Sequence, residues 1–269
     1  MADAPLAGRC ALVTGGRGIG AGIAACLARD GADVAIVFRQ DRAAAEATAA
    51  VVEGFERRAV LVQADLRERA QCTRAAQEAA DALGRIDILV ANAGSATRGD
   101  LVVDTREAEF ADAFAVHCLA AVWLSQALVP AMRDRGRGDV CVVTSAIPVG
   151  GGPRIGPYHM AKAAAEAFVH TLAHEERVHG IRVNAIRPGF TETDMGRRLT
   201  KAMTGAADLR AWDAAAPFGR VEQPEDIGNM IAFLCSDHGA YVTNQIICVD
   251  GGQATIGGAP DAMARSVRT

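Results

Sequence analysis

Tyr158 and Lys162 form the pair whose residue types and spacing could carry out proton chemistry. They are four residues apart, and the run 163–179 that follows is rich in Ala and contains no Gly or Pro, which predicts a helix. A helix puts side chains at this spacing on one face, one turn apart. The ammonium group of Lys162 would then favour the phenolate and lower the phenol pKa from its usual value of ~10. The pair is a candidate proton donor and acceptor, although a lone Tyr-x-x-x-Lys motif is common and a surface pair without a role is the alternative.

The glycine-rich stretch 14–20, Thr-Gly-Gly-Arg-Gly-Ile-Gly, predicts the binding of phosphate groups. It lies between a short apolar run and a helical pattern. Glycines let the backbone approach a pyrophosphate closely, and the helix N-terminus supplies amide donors and positive potential. The order Gly16-x-Gly18-x-x-Ala21 also matches a dinucleotide-binding fingerprint. The residues expected to contact a dinucleotide here are Gly15, Arg17, Gly18, Ile19 and Gly20.

The end of the second apolar run indicates which dinucleotide is preferred. An acidic residue there would bind the ribose 2′-hydroxyl of NAD, whereas Arg would accept the 2′-phosphate of NADP. The chain has Phe38-Arg39 at this point, and Arg17 adds a second positive charge on the same side. Asp41 is close by, but its position after the run predicts the N-cap of the next helix. The sequence therefore favours NADP(H). NAD(H) stays the alternative, because Arg39 could also be a solvated cation.

The elements that must position these residues alternate along the chain. Short apolar runs, typical of strands buried on both faces, are separated by helical patterns. We therefore predict an α/β fold with a single doubly wound, Rossmann-like parallel sheet and helices on both faces. A long helix is predicted over 106–133, a single domain over 1–256 and a polar tail over 257–269. The predicted strands are 9–15, 33–38, 59–64, 86–91, 139–145, 181–186 and 245–252.

Composition narrows the class of protein. The chain has 269 residues, a net charge of −4 and no basic stripe, so nucleic-acid binding is not expected. We identify no leader segment and no apolar run of about 20 residues, the length that crosses a bilayer, so no membrane association is expected. The seven cysteines are scattered and none forms C-x-x-C, which favours a reduced, cytoplasmic protein without a metal site.

Together these motifs resemble the short-chain dehydrogenase/reductase family over nearly the whole chain, and within it the 3-oxoacyl-acyl-carrier-protein reductases and similar small carbonyl reductases. Ser145 precedes Tyr158 by 13 residues, which is the spacing of that family. The glycine loop is one residue shorter than the usual Thr-Gly-x-x-x-Gly-x-Gly of the family. The other matching positions are Asp65, 91–94 (Ala-Asn-Ala-Gly), Arg187-Pro188-Gly189, Thr191, Thr193, 217–227 and 249–252.

The resemblance implies roles for single residues. Tyr158 would be the general acid that protonates a carbonyl oxygen, and Ser145 would hydrogen-bond the same oxygen, where negative charge develops. Lys162 would lower the Tyr158 pKa and hold the nicotinamide ribose, and Asp65 would contact the adenine. The remaining implied cofactor contacts are Leu66, Asn92, Ala93, Gly94, Pro188, Gly189, Thr191 and Thr193.

His117 departs from the family pattern. It stands in the long helix where the family often has an Asn that completes a water-mediated proton path to the Lys. Imidazole donates and accepts hydrogen bonds and titrates near neutral pH, so His117 could serve the same path. A His that only packs the helix is an equal alternative.

The stretch 190–217 leaves the core pattern. Apolar residues recur every four positions at Met195, Leu199 and Met203, which predicts a lid helix over a substrate, with Trp212 on the same cover. A surface helix packed on the core is the alternative.

The predicted function is hydride transfer between NADP(H) and a small-molecule carbonyl or secondary alcohol, with a 3-oxoacyl thioester as a candidate substrate. One alternative is an NAD(H)-dependent alcohol, sugar or steroid dehydrogenase of the same family. Another is a nucleotide-binding regulator without catalysis, which the short glycine loop and His117 favour. A homotetramer is expected, because the family pairs the long helix and the Tyr158 helix between subunits, and Ala-rich stretches such as 161–167 allow close helix approach.

Overall fold

Seven parallel strands form one sheet in the part of the chain that the computed structural model describes, residues 4–146, 152–194, 196–197, 213 and 216–252. The strands are β1 (Cys10–Thr14), β2 (Asp33–Phe38), β3 (Ala59–Gln63), β4 (Ile88–Ala91), β5 (Gly138–Val143), β6 (Ile181–Pro188) and β7 (Ile246–Val249). Their order across the sheet is β3-β2-β1-β4-β5-β6-β7. The predicted doubly wound parallel sheet is confirmed. The strand order reverses between β1 and β4, where open α/β sheets form a crevice at the carboxyl ends of their strands.

Continuous apolar runs explain why the strands are buried on both faces. Every residue of β1 and β5 is buried. Strand β7 is shorter than the predicted 245–252, because the chain turns at Gly251 and Gly252, whose φ angles are +66° and +86°. Glycine adopts such angles without a steric cost, so the pair ends the strand.

Helices cover both faces of the sheet. The described α-helices are α1 (Ile19–Arg29), α2 (Arg42–Gly54), α3 (Arg69–Leu83), α4 (Glu107–Phe114), α5 (Ala120–Asp134), α6 (Gly156–Glu176) and α7 (Pro224–Cys235). Helices α1, α2 and α7 pack on one face through residues such as Ile23, Val52 and Ile231. Helices α3, α5 and α6 pack on the other through residues such as Leu124 and Ala165. The two cores hold the carboxyl ends of the strands in fixed register.

The predicted long helix is present but is not uniform. Helices α4 and α5 are joined by a π-helical segment, Ala115–Leu119, and π-helical turns are frequent at functional sites. By length and composition alone, Glu107–Asp134 could cross a membrane, so the expectation that no apolar run has this length is wrong. However, 56% of its apolar window is buried inside the fold, as in the core helix of a globular protein. Packing against the sheet therefore accounts for its apolar residues.

The amino ends of the strands carry a buried ion network. Arg9 Nη1 lies 2.6 Å from Asp139 Oδ2, and Arg182 Nη2 lies 2.8 Å from Asp139 Oδ1. These charges compensate one another, so this edge of the sheet is structural. The polar residues that the sequence singles out lie at the opposite edge.

Several predicted features fall outside the described residues. They are the lid positions Met195, Leu199, Met203 and Trp212, and the tail 257–269. The lid and the domain boundaries therefore stay predictions.

Candidate active site

The glycine loop joins β1 to α1 in a tight turn. Gly15 has φ +95° and Gly18, the N-cap of α1, has φ +55°, angles that residues with a side chain rarely adopt. A Cβ at Gly20 would lie 1.9 Å from Gly15 O, so the short loop curls too tightly for any other residue there. No side chain caps α1 within the described structure, which leaves its first amides for an anion. Despite its missing residue, the loop forms a cradle of the kind that binds phosphate.

Thr14 joins the ends of β1 and β4 beside this loop. Its Oγ1 accepts hydrogen bonds of 2.9 Å from the backbone N–H groups of Asn92 and Ala93. Asn92 Nδ2 donates to Thr14 O at 2.8 Å, and a Cβ at Gly15 would lie 2.8 Å from that nitrogen. Asn92 therefore packs against the glycine loop, and its contact with a cofactor stays a prediction. The bridging role of Thr14 was not predicted from the sequence.

A cleft of about 540 Å³ opens at the carboxyl ends of β2 and β3. Arg39 lines it, and its Nη2 lies 3.4 Å from the neutral Oε1 of Gln40. Arg39 forms no salt bridge with any of the described residues, so its charge is available to an anionic ligand. The cleft is lined by Arg39, Gln63, Ala64, Asp65, Gln71 and Arg74.

Asp65 and Arg17 are less available than the sequence suggests. The hydrogen bonds from Arg67 to Asp65 lower the pKa of that carboxyl to about 2. Arg17 Nη1 lies 3.5 Å from Asp41 Oδ2, while Asp41 Oδ1 accepts a hydrogen bond from Ala44 N. The N-cap predicted for Asp41 is confirmed. Arg17 therefore shares its charge with this carboxylate, whereas Arg39 has no salt-bridge partner among the described residues.

Ser145, Tyr158 and Lys162 meet at the carboxyl end of β5, where Ser145 and Lys162 are buried and Tyr158 is partly exposed. Ser145 follows β5, and Tyr158 and Lys162 lie one turn apart near the start of α6. Tyr158 and Ser145 share a side-chain hydrogen bond. Lys162 is 5% exposed, and its Nζ donates to Val143 O at 2.7 Å and lies 5.7 Å from the centroid of the Tyr158 ring. The spacings in the sequence therefore bring the three side chains together.

Burial controls the protonation of this group. It raises the pKa of the Tyr158 phenol above its usual value, and the hydrogen bond with Ser145 opposes this shift. Burial lowers the pKa of Lys162 to about 8, and the negative charge of Glu166 opposes this shift. The lowered phenol pKa expected from the sequence is therefore wrong for this structure. The reason is that burial penalises the phenolate, while the Lys162 ammonium hydrogen-bonds Val143 O.

Glu166, one turn beyond Lys162, was not predicted as part of the site. Its two carboxylate oxygens accept hydrogen bonds of 2.7 Å from Arg187 Nε and Nη2. Arg187 lies near the end of β6, directly before Pro188. This bidentate, charge-assisted pair fixes α6 to β6 beside the Tyr158 group.

His117 lies in the π-helical segment and packs against Tyr158. Their ring centroids are 5.0 Å apart with an interplanar angle of 82°, an edge-to-face contact. His117 Nε2 lies 2.9 Å from Ser95 O and 3.3 Å from Ser95 N, and the shorter contact assigns the proton to Nε2. A Cβ at Gly94 would lie 2.5 Å from His117 Cε1, so glycine at this position makes room for the imidazole.

The His117 imidazole is neutral at physiological pH. Burial, followed by the charge of Lys162, lowers its pKa to about 3, so the expectation that it titrates near neutral pH is wrong. Its Nδ1 is buried and has no hydrogen-bond partner among the described residues. With the proton on Nε2, Nδ1 carries a lone pair that can accept a hydrogen bond. His117 is therefore suited to be a fixed acceptor and not an acid.

The segment 189–193, which follows β6, packs over the glycine loop. A Cβ at Gly18 would lie 3.1 Å from Thr193 Cγ2, so these two residues are in close contact. Thr191 Oγ1 donates a hydrogen bond of 2.6 Å to Glu222 Oε2. The Thr191 hydroxyl is thus committed as a donor to Glu222, which the sequence did not indicate.

Three other predicted cofactor contacts have packed side chains. Phe38 is 5% exposed, and the Arg42 guanidinium lies over its ring, 5.1 Å from the centroid. Leu66 belongs to one hydrophobic core, and Ile19 packs against the other. These side chains serve the packing of the elements around the cleft.

Comparisons with known proteins agree with this geometry. The family described as Enoyl-(Acyl carrier protein) reductase matches residues 13–254. A short-chain type dehydrogenase/reductase of Picea abies is 34% identical over 256 residues, which cover 92% of this chain and 93% of the relative. L-2,3-butanediol dehydrogenase of Corynebacterium glutamicum is 32% identical over 254 residues, which cover 91% and 98%. A solved 7α-hydroxysteroid dehydrogenase, complexed with NADH and 7-oxo glycochenodeoxycholic acid, is 31% identical with a TM-score of 0.83, covering 93% and 96%.

These similarities extend over nearly the whole of each chain, and the sheet that they share is the one predicted from the sequence. They include both dehydrogenases and reductases, and they do not single out the 3-oxoacyl-acyl-carrier-protein reductases. The chain belongs to the short-chain dehydrogenase/reductase family, whose members are oxidoreductases that act on CH–OH groups.

Proposed function

We propose that the protein is an NADP(H)-dependent enzyme that interconverts a small-molecule ketone and the corresponding secondary alcohol. The observation that carries this proposal is the hydrogen bond between Ser145 and Tyr158, with Lys162 one helical turn away and buried beside them. The glycine loop lies at the same edge of the sheet. This constellation contains a proton donor and a second hydroxyl that converge on one point, next to a cradle for a dinucleotide.

The residues around the cleft fit a nicotinamide cofactor. Gly15 and Gly18 adopt backbone angles that open the cradle to a phosphate. Arg39 lines the cleft at the carboxyl ends of β2 and β3. A bound nicotinamide cofactor supplies the hydride. The residues that would hold it are Gly15, Gly18, Ile19, Gly20, Arg39, Asp65, Asn92, Ala93, Gly94, Lys162, Pro188, Gly189 and Thr193.

Tyr158 and Ser145 would act on the oxygen of the substrate. Their hydroxyl groups are hydrogen-bonded to each other, so both can donate a hydrogen bond to a substrate oxygen placed beside them. The Ser145 hydroxyl would stabilise the negative charge that develops on a carbonyl oxygen, and Tyr158 would give its proton to the same atom. Because burial raises the pKa of Tyr158, the phenol stays protonated at neutral pH, which is the state that carbonyl reduction requires.

His117 would support proton transfer as a neutral acceptor. We expect His117→Ala to lower the rate by about tenfold, less than the ~10²-fold or more typical of losing a general acid. Its neutral state predicts that the reduction in rate is the same across neutral pH. The measurement is the pH profile of turnover for the native protein and the variant, with the exposed His238→Ala as the matched control. An inflection near pH ~6.5, the usual pKa of histidine, that disappears in His117→Ala would contradict this role.

Arg39 would select NADP(H). We expect NADPH to bind at least about tenfold more tightly than NADH, a difference of about 1.4 kcal/mol. The reason is that the Arg39 guanidinium, which no described carboxylate pairs within salt-bridge distance, would meet the 2′-phosphate. Arg39→Asp should erase or reverse the preference. Dissociation constants for both cofactors, measured by calorimetry, test this prediction.

The control for this experiment is Arg177→Asp, which makes the same charge change at an exposed position before the amino end of β6. It should leave both constants unchanged. Equal affinities of the native protein for NADPH and NADH would overturn the preference. NAD(H) then becomes the cofactor, as in the related 7α-hydroxysteroid dehydrogenase that was solved with NADH.

For the substrate we propose only a broad class, small-molecule ketones and the corresponding secondary alcohols. Relatives named for butanediol and for a hydroxysteroid act on secondary alcohols that differ greatly in size. Ketones, 3-oxoacyl thioesters, sugars and steroids are therefore the panel to test with NADPH.

We also propose a homotetramer. Exposed apolar side chains at Leu119 and Met160 lie on the long helix and on α6, the two helices that the family pairs between subunits.

A further inference from the structure

Glu222 is a carboxyl group at the site that the proposed chemistry does not use. Its Oε2 accepts the 2.6 Å hydrogen bond from Thr191 Oγ1. Its Oε1 is buried and has no hydrogen-bond partner among the described residues. The backbones of Thr191 and Glu222 also form a parallel bridge, and Glu192 N donates to Glu222 O at 2.7 Å. Side chain and backbone thus join the segment 189–193 to the segment 220–223.

These joined segments and the adjoining Pro224 contact the glycine loop and helix α1. On one side, Thr193 packs on Gly18, where a Cβ would lie 3.1 Å from Thr193 Cγ2. On the other, Pro224 packs on Gly22 of α1, where a Cβ would lie 2.5 Å from Pro224 Cβ. Glu222 lies between these two contacts in the chain. Its carboxyl group thus bonds a segment that packs on the glycine loop.

The charged groups around Glu222 are of both signs, and the Arg220 guanidinium, which acts on it electrostatically, is paired with another carboxylate. Asp226 of α7 and Asp250 after β7 are both close enough to act on it electrostatically. Asp226 is paired with Arg220 at 2.6 Å and 2.8 Å, and no described cation lies within salt-bridge distance of Glu222. Glu192 accepts a hydrogen bond from Gln223 Nε2 at 2.9 Å, and Arg197 Nη1 lies 3.9 Å from it.

Protonation of Glu222 follows from these surroundings. Burial raises its pKa from 4.5 to about 7, the hydrogen bond from Thr191 and the nearby backbone N–H of Gly189 oppose the shift, and the Asp226 and Asp250 charges add to it. The raised pKa is that of Glu222 when the segment 189–193 is packed on the glycine loop. Packing of this segment therefore favours the protonated carboxyl group. The packing of this segment is therefore strongest below pH 4.5 and weakens as pH rises to about 7, where half of the Glu222 carboxyl groups are ionised.

We propose that Glu222 is a positioning residue for the dinucleotide: its carboxyl group holds the 189–193 segment on the glycine loop and so sets the affinity for the cofactor. The inference rests on the proposed function only in that the loop binds a dinucleotide. Ionisation leaves a buried charge without a cation, and this loosens the segment. Cofactor binding is therefore tighter at acidic than at alkaline pH.

The test is the dissociation constant of NADPH, measured by calorimetry near pH ~5.5 and ~8.5, on either side of the transition. In the native protein it should rise at least about fivefold at the higher pH, the lower end of usual coupling energies. Glu222→Gln is a neutral isostere and should keep the tight value at both pH values. The matched control, Glu225→Gln, changes an exposed carboxylate three residues away and should keep the native pH dependence.

The same pH dependence in the native protein and in Glu222→Gln would overturn the proposal. A second variant, Thr191→Val, removes the hydroxyl that stabilises the carboxylate and should move the transition to higher pH. If Glu222→Gln does not fold, an unmoved transition in Thr191→Val overturns the proposal instead. This experiment measures cofactor binding and not turnover. Failure of this inference can therefore be distinguished from failure of the proposed function, which would show as no turnover on any carbonyl compound. A native protein that binds neither NADPH nor NADH would contradict both proposals.

Discussion

Tyr158→Phe should lower the rate of carbonyl reduction by at least about 10²-fold, the usual scale for losing a positioned general acid. The substitution removes the phenol oxygen that bonds Ser145 and keeps the ring that packs edge-to-face on His117. Folding and NADPH binding should therefore survive. Turnover with NADPH, the dissociation constant of NADPH and the melting temperature, measured on the same preparation, separate these effects.

The chain provides a matched control for this variant. Tyr241 is the other of its two tyrosines and is fully exposed, so Tyr241→Phe removes the same atom at a remote position. It should leave the rate unchanged. If Tyr158→Phe retained near-normal turnover on a good substrate, the assignment of the proton donor would be wrong, whatever the fold.

Lys162→Met should cause a loss of similar size, about 10²-fold, and should also weaken NADPH binding. Methionine fills much of the buried space but carries no charge near Tyr158 and cannot hold the ribose. It also leaves the Val143 carbonyl, which Lys162 Nζ contacts at 2.7 Å, without this donor. The measurement is turnover together with the NADPH dissociation constant, because a purely structural lysine would affect stability and leave the affinity unchanged.

The pH profile gives this prediction a second readout. The pKa of Lys162 is lowered to about 8, so the group loses its charge as pH rises through that value. The rate of reduction should fall over this range in the native protein. Lys162→Arg keeps the positive charge well above this pH, because the pKa of arginine exceeds ~12, and should remove the inflection. A native inflection that persists in Lys162→Arg would exclude Lys162 as its source.

Local patterns in the sequence predicted the framework of this site well. Strand β2 has the predicted bounds, Asp33–Phe38, because an apolar run is a property of neighbouring residues. The meeting of Ser145 with Tyr158 followed from a family spacing. The capping role of Asp41 followed from its position before a helix, and its bond to Ala44 N confirms it.

Contacts between distant residues could not be predicted in the same way. Thr191 and Glu222 are 31 residues apart, and Glu166 and Arg187 are 21 apart, so no period relates them. The π-helical segment at Ala115–Leu119 likewise has no signature in the residue pattern of the long helix.

The pKa shifts of Tyr158 and His117 were also missed, because burial is the largest cause of each. A sequence shows which groups are near each other on a helix, but it does not show how much water they retain.

The most direct test of the central claim is the fate of deuterium carried at the hydride-donating carbon of NADPH. The protein is incubated with the labelled cofactor and the panel of ketones, 3-oxoacyl thioesters, sugars and steroids, and the products are analysed by mass spectrometry. An oxidoreductase with this site should deliver the label to the carbinol carbon of at least one product, with Tyr241→Phe equally active and Tyr158→Phe nearly inactive. Binding of NADPH without label transfer to any carbonyl compound would contradict the account and favour a nucleotide-binding regulator.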